Sequence, residues 1–120
     1  MKILIADDSR VMRQIVTRTL RQAGFDDHEL VEAADGQQAF DKVTAEHPDV
    51  VISDWNMPEM TGVEVLQKLR SAGNDVTFGF VTSECTPEMQ QQAEAAGAAF
   101  FIVKPFNAER FDEVFSPILG

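Results

Sequence analysis

The chain has 120 residues, 44% of them hydrophobic, and a formal net charge of −10 at pH 7. A chain of this length and composition is expected to form one domain, spanning residues 1–120, with a sizeable core. The negative charge argues against binding to nucleic-acid phosphates and to anionic membrane surfaces. It is compatible with a bound cation or a cationic partner, although a role in solubility alone explains most of it.

Cysteine content and hydropathy indicate a cytoplasmic protein. Cys85 is the only cysteine, so no intramolecular disulfide can form, which suits a reducing compartment. No apolar run approaches the length of a membrane span, and the first strand is predicted to begin at residue 2, which leaves no space for a signal peptide. We therefore expect a cytoplasmic protein that does not insert into membranes, and we expect it to be a monomer.

Five apolar runs predict five β-strands, at residues 2–6, 30–33, 49–53, 77–82 and 99–103. Each run is followed by apolar residues at helical spacing, which predicts a helix after every strand. Asp8 or Ser9 is expected to cap the first helix, and Asn107 is expected to cap the last. The alternation predicts an α/β fold, with a doubly wound parallel sheet between two layers of helices.

The fourth strand and the fourth helix each have an unusual composition. Gly79 lies inside the strand, which predicts close packing against a neighbour or a local bend. The helix begins at Thr86 and Pro87 and ends at Gly97, and Met89 is one of its few large apolar residues. We therefore predict that this helix is weakly anchored to the core.

Polar and charged residues stand where four of the strands end. Asp7 and Asp8 follow the first strand, Asp54 follows the third, Thr82 ends the fourth and Lys104 follows the fifth. The ligand crevice of an open α/β sheet lies at the carboxyl ends of its strands. Three carboxylates there would repel one another without a cation, and oxygen ligands favour Mg²⁺. The acidic pair alone reads as a helix cap, but all five residues together predict a reactive site.

Four sequence features together resemble one protein family. They are the acidic pair after the first strand, DWNMPEMTG at 54–62, VTSE at 81–84 and FIVKPF at 101–106. In this order and spacing the chain resembles response-regulator receiver domains, and more narrowly the single-domain chemotaxis regulators of the CheY type. The resemblance implies a flavodoxin-like (βα)5 fold with strand order 2-1-3-4-5.

The resemblance also implies a phosphorylation site that uses Mg²⁺ as its cofactor. Asp54 would be the phospho-acceptor, since a carboxylate can attack phosphorus and form an aspartyl phosphate. Asp8 would bind Mg²⁺ directly, Asp7 directly or through water, and the backbone carbonyl of Asn56 would complete the protein ligands together with Asp54. The bond between Lys104 and the following proline is expected to be cis, as in the family.

Four further roles follow from the same resemblance. Lys104 would pair with the phosphoryl group and Thr82 would donate a hydrogen bond to it. Phe101 stands where the family keeps its switch aromatic, and it would turn inward when Thr82 moves; read without the family, Phe101 is an ordinary core residue. Asn56 and Glu84 are two residues after Asp54 and Thr82 respectively, and they would control dephosphorylation.

These roles imply a signalling switch of a two-component system, with a histidine kinase as the phosphoryl donor. The output would act through the face formed by helix 4, strand 5 and helix 5, on a flagellar motor switch protein in chemotaxis. One alternative is a relay intermediate that passes phosphate to a histidine phosphotransfer protein. The other is a Mg²⁺-dependent phosphatase with an aspartyl nucleophile, although such enzymes usually carry an acid where this chain has Asn56.

Three further residues offer little functional signal. His28 and His47 are isolated, without a spacing that suits metal binding or a catalytic triad, and both are expected to be solvated. Cys85 has no evident base partner. The chain also lacks the glycine-rich motifs of dinucleotide-binding and P-loop proteins.

Overall fold

The computed structural model describes residues 1–119, in which five strands alternate with five helices. The strands are β1 (Lys2–Ala6), β2 (Glu29–Ala33), β3 (Val50–Ser53), β4 (Thr77–Thr82) and β5 (Phe100–Val103). The helices are α1 (Arg10–Gln22), α2 (Gly36–Glu46), α3 (Gly62–Ser71), α4 (Pro87–Ala96) and α5 (Ala108–Leu119). Within the described residues, no helix is both long enough and apolar enough to cross a membrane.

The strands form one parallel sheet in the order β2-β1-β3-β4-β5. The predicted doubly wound, flavodoxin-like topology is therefore confirmed. The predicted bounds of β2, β3 and β5 each differ from the observed bounds by one residue at the start of the strand. Within this sheet β1 and β3 lie side by side at its centre, so the acidic residues that follow them meet at one edge.

Both faces of the sheet are buried, which explains the uninterrupted apolar run of β1. Leu4 and Ala6 belong to the hydrophobic cluster under α2, α3 and α4, whereas Ile3 and Ile5 belong to the cluster under α1 and α5. Successive side chains of a strand point to opposite faces, so a strand that is covered on both sides needs apolar residues at every position.

The helix signals in the sequence correspond to observed caps. The Ser9 hydroxyl accepts a hydrogen bond from the Met12 amide at 3.2 Å, so Ser9 rather than Asp8 caps α1. The Asn107 side chain accepts from the Arg110 amide at 2.9 Å at the start of α5. The Asp8 carboxylate is therefore not used to cap α1.

The two predictions about β4 and α4 are confirmed. A Cβ at Gly79 would overlap the ring of Phe100 on the neighbouring strand, so the absence of a side chain permits this contact. Ala93 is the one buried residue of α4, and Met89 is only partly buried. The helix therefore has a small apolar contact area with the core.

The predicted solvated position of His28 is wrong. Only 11% of its side chain is exposed, its ring lies 6.5 Å from that of Phe25, and its Nδ1 lies 3.1 Å from the Met1 amino group. The contact with the Met1 amino group joins residues 27 apart in the chain, so the sequence around His28 gives no sign of it. His47 is exposed, as expected.

Candidate functional site

Backbone hydrogen bonds hold the ends of the strands in register at one edge of the sheet. The Asp7 amide donates to the Ala33 carbonyl at 3.0 Å, and the Asp54 amide donates to the Ala6 carbonyl at 2.8 Å. The Lys104 amide donates to the carbonyl of Thr82 at 2.8 Å. The backbone of each of these three charged residues is therefore still hydrogen-bonded to a neighbouring strand, so each side chain projects from rigid backbone.

Three carboxylates meet at this edge, as the sequence predicts. Asp7, Asp8 and Asp54 each offer an oxygen, and these oxygens lie within 4.8 Å of one another. Asp7 is buried and Asp8 is exposed, while 14% of the Asp54 side chain is accessible. The cluster is therefore closed at its base and open to solvent at its mouth.

Lys104 supplies the positive charge of the cleft. Its Nζ lies 3.6 Å from Oδ2 of Asp7 and 3.9 Å from Oδ2 of Asp54. The other oxygen of each carboxylate is held by backbone, since Oδ1 of Asp7 accepts from the Ser9 amide at 2.9 Å and Oδ1 of Asp54 accepts from the Trp55 amide at 2.8 Å. Both Oδ2 atoms consequently face the lysine and the open cleft. The Lys104-Pro105 peptide bond is cis, as predicted.

Burial raises the pKa of Asp7 and of Asp54 above the ordinary carboxyl value. Desolvation is the largest cause for both groups, and the neighbouring carboxylates raise the two pKa values further. The hydrogen bond from Ser9 and the Lys104 charge oppose this for Asp7, and Lys104 opposes it most for Asp54. Mutual repulsion, the predicted source of strain, is therefore secondary to burial. A bound cation would relieve both costs.

Thr82 lies at the base of the same edge, on the last residue of β4. It is fully buried, and its hydroxyl oxygen accepts a hydrogen bond from the Glu84 amide at 3.4 Å. The side chains of Asn56 and Glu84 are both exposed, on the loops that follow β3 and β4. The role of Asn56 and Glu84 in dephosphorylation stays a prediction.

The model of the response regulator receiver domain family matches residues 3–116 of the chain. The chain belongs to this family.

Receiver domains with different outputs resemble this one. A relative from Campylobacter jejuni, called a chemotaxis protein CheY homolog, is 40% identical over 123 residues that cover 100% of this chain and 93% of the relative. The structure of chemotaxis protein CheY4 from Vibrio cholerae is 39% identical, with a TM-score of 0.84 and 98% of each chain covered. A DNA-binding response regulator of the LuxR family from Staphylococcus aureus is 26% identical with a TM-score of 0.87, covering 99% of this chain and 98% of that one.

Receiver domains bind Mg²⁺ at an acidic pocket, and the residues of this chain fit such an ion. The donors are carboxylate oxygens, which are the ligands that a hard divalent cation prefers. Asp8 offers an exposed carboxylate and Asp54 a half-buried one, so an ion could enter from solvent and still contact the fixed base of the cleft.

Phe101 of this receiver domain packs against two aromatic rings. Its ring centroid lies 6.2 Å from that of Trp55 and 6.1 Å from that of Phe80, and the side chain is half-buried. The Trp55 ring lies 4.9 Å from Phe80 and is buried. Trp55, which follows Asp54, and Phe101, the predicted switch residue, therefore belong to one cluster of aromatic rings.

Arg13, which is not among the residues predicted for the site, contacts the acidic loop. Its Nη1 donates to the backbone carbonyl of Asp7 at 2.6 Å, and its Nε donates to the carboxylate of Glu32 at 2.9 Å. This pair of contacts fixes the backbone between β1 and α1 against the edge strand β2. The sequence shows that Arg13 follows Asp8 by five residues. Its partner is a backbone carbonyl, however, and no side-chain motif marks such a partner.

Proposed function

We propose that this receiver domain is a phosphorylation-activated switch of a two-component system, in which Asp54 accepts a phosphoryl group from a histidine kinase. The observation that carries the proposal is the juxtaposition of Asp54 with two further carboxylates and one ammonium group. A helix cap, which is the alternative reading of Asp7 and Asp8, would not account for Asp54 and Lys104 at the same edge of the sheet. A phosphoryl-transfer site needs both a nucleophile and neutralising charge.

The transfer itself needs positioning more than it needs chemistry from the protein. An Oδ atom of Asp54 attacks the phosphorus, the bond between phosphorus and the donor's imidazole nitrogen breaks, and that nitrogen takes up a proton from solvent. The Trp55 amide holds Oδ1, which leaves Oδ2 as the attacking atom on the open side. Mg²⁺ held by Asp7, Asp8, Asp54 and the carbonyl of Asn56 would supply positive charge for the phosphoryl oxygens.

Lys104 and Thr82 would convert the new charge into a change of packing. The Lys104 ammonium forms a salt bridge of 3.9 Å with the Asp54 carboxylate. A phosphoryl group on Asp54 would attract the ammonium, which would then form an ion pair with the phosphoryl oxygens. Thr82 would turn its hydroxyl towards the phosphoryl oxygens, and Phe101 would fill the space behind it. This is a two-state packing switch that is biased by local electrostatics.

The output face would be formed by α4, β5 and α5. A groove of about 460 Å³ lies there, lined by Phe101, Val103 and Arg110 among others, and 40% of Val103 is exposed although its side chain is apolar. The weak anchoring of α4 makes this face the part of the fold that a small shift of Phe101 would move most easily. A partner that packs against it would distinguish the two states.

The proposed setting is chemotaxis, with a flagellar motor switch protein as the partner of this monomeric, cytoplasmic protein. The relatives from Campylobacter jejuni and Vibrio cholerae carry chemotaxis names, and a receiver of the same fold in Staphylococcus aureus serves a DNA-binding regulator. The side chains of Asn56 and Glu84 are exposed and would border the approach of water to Asp54, so we assign them control of the lifetime of the phosphoryl group.

A relay role and a phosphatase role make different predictions in one set of assays. The phosphorylated protein is mixed with a histidine phosphotransfer domain or with a flagellar switch peptide, and phosphate transfer and binding are measured separately. We expect binding to the switch peptide that requires phosphorylation, and little transfer to histidine. Turnover of small phosphate esters is measured as well, and release beyond one phosphate per protein would favour the phosphatase.

A further inference from the structure

The loop between β3 and α3 contains an unusual turn. Glu59 has a φ of 72°, and the Met60 amide donates to the Pro58 carbonyl at 2.8 Å. A hydrogen bond from residue i+2 back to residue i around a positive φ defines a γ-turn, which is a strained conformation for a residue with a side chain. Contacts from outside the loop must hold this turn in place.

Gly36, the first residue of α2, makes that outside contact. Its amide donates to the carbonyl of Pro58 at 3.1 Å, which is the same acceptor that the γ-turn uses. A Cβ at Gly36 would overlap the Met60 carbonyl oxygen and would lie 2.6 Å from the Met60 Cβ. Gly36 has no positive φ, so space for the loop, and not backbone conformation, is the reason for a glycine at this position.

The start of the same loop is anchored independently. The Gly62 amide donates to the Trp55 carbonyl at 2.7 Å, and a Cβ at Gly62 would lie 2.8 Å from a ring carbon of Phe80. Asn56 therefore lies between an anchored residue, Trp55, and the clamped turn at Pro58. Because only Met57 separates Asn56 from Pro58, a displacement of the turn would move the Asn56 carbonyl.

We propose that Gly36 is a positioning residue for the Mg²⁺ site: its contact with Pro58 and Met60 clamps the γ-turn and so fixes the backbone carbonyl of Asn56. The inference rests on the proposed function, which assigns that carbonyl to the metal. Through this contact, the corner between β2 and α2 would help to determine the affinity of the site for Mg²⁺. The hydrogen bond that joins this corner to the loop runs from the Gly36 amide to the Pro58 carbonyl, so the coupling passes through backbone.

The test compares two substitutions of glycine by alanine. Gly36→Ala inserts a methyl group against Met60, and Gly79→Ala inserts one against Phe100, away from the loop. Amide exchange is measured by NMR on the metal-free proteins, and Mg²⁺ binding is measured by calorimetry. In Gly36→Ala we expect faster exchange of the Met60 amide, unchanged exchange of the independently anchored Gly62 amide, and a Mg²⁺ affinity about tenfold lower, as for other residues that orient a ligand. Gly79→Ala should show neither change.

A second pair of variants tests the turn from its exposed side. Glu59 is exposed, so substitution there leaves the core intact. Proline fixes φ at about −65° and cannot adopt the turn, whereas glycine adopts a positive φ without steric cost. We expect Glu59→Pro to reproduce the loss of Mg²⁺ affinity and Glu59→Gly to keep the parent affinity, even if Gly36→Ala were to fail to fold.

Each result decides the proposal or the function on which it rests. Unchanged exchange of the Met60 amide in Gly36→Ala overturns the clamp, and faster exchange with an unchanged Mg²⁺ affinity overturns the coupling to the metal. Equal Mg²⁺ affinities in Glu59→Pro and Glu59→Gly would also contradict the coupling between the turn and the metal. A parent protein that binds no Mg²⁺ would refute the proposed metal site, while exchange on the metal-free proteins would still decide whether Gly36 holds the loop.

Discussion

Mg²⁺ should stabilise this receiver domain in the absence of phosphate. Burial makes the charged forms of Asp7 and Asp54 costly, and a cation among the three carboxylates offsets that cost. A ligand that binds only the native state adds about 1.4 kcal/mol at roughly tenfold excess over its dissociation constant. For 120 residues, the unfolding entropy is about 0.25 kcal/mol/K, so the melting temperature should rise by about 5–6 °C.

The assay is thermal unfolding of chelator-treated protein, followed by circular dichroism at constant ionic strength with and without millimolar Mg²⁺. Asp8→Ala is the matched control, because Asp8 is exposed and its removal leaves the core unchanged. The rise should be largely lost in this variant. The reasoning is refuted if Mg²⁺ leaves the melting temperature of the parent unchanged, or if Asp8→Ala shows the full rise.

The raised pKa values of Asp7 and Asp54 fix the sign of the pH dependence. Between the ordinary carboxyl value and the raised pKa, the folded state holds protons that the unfolded chain has lost, so the free energy of unfolding falls as pH rises. Metal-free Asp54→Asn should therefore be more stable than the parent at neutral pH, and this gain should vanish in acid. The stabilisation by Mg²⁺ should also shrink in acid, because protons compete for the same oxygens. A less stable Asp54→Asn protein at neutral pH would contradict the burial argument.

Three variants and one fluorescent probe test the remaining roles. Lys104→Ala should retain part of its phosphorylation by acetyl phosphate but lose most phosphorylation-dependent partner binding, measured by a pull-down; full binding would contradict the switch role. Asn56→Ala and Glu84→Ala should change the dephosphorylation rate more than the Mg²⁺ affinity, and parent-like rates in both would exclude them from that role. Trp55 fluorescence should change on adding Mg²⁺ and again on adding acetyl phosphate or beryllofluoride, with only the second change lost in Asp54→Asn; a flat signal with phosphorylation verified by mass would show that the loop does not sense the site.

The sequence predicted the sheet because its signals are local. Ile3 and Leu4 are consecutive and apolar since the two faces of β1 are covered, and Asn107 caps α5 through contacts within one turn. The convergence of Asp7, Asp8 and Asp54 followed only on the condition that β1 and β3 are neighbours, which they are. Strand order itself came from the family resemblance and not from spacing.

Contacts between distant loops could not be predicted in this way. His28 contacts the Met1 amino group across 27 residues of chain, and the need for glycine at position 36 depends on the carbonyl of Met60. Arg13 binds a backbone carbonyl, a group that every residue carries and that no motif marks. The size of the burial effect on Asp54 likewise depends on surrounding atoms from several elements.

Phosphorylation of Asp54 is the central claim, and intact-mass analysis tests it most directly. The parent and Asp54→Asn are incubated with acetyl phosphate and Mg²⁺, and the mass of each protein is measured before and after acid or hydroxylamine treatment. We predict one added phosphoryl group on the parent that the treatment removes, and none on Asp54→Asn, because an amide oxygen is a poor nucleophile. A parent protein without added mass, or equal incorporation into Asp54→Asn, would contradict the account.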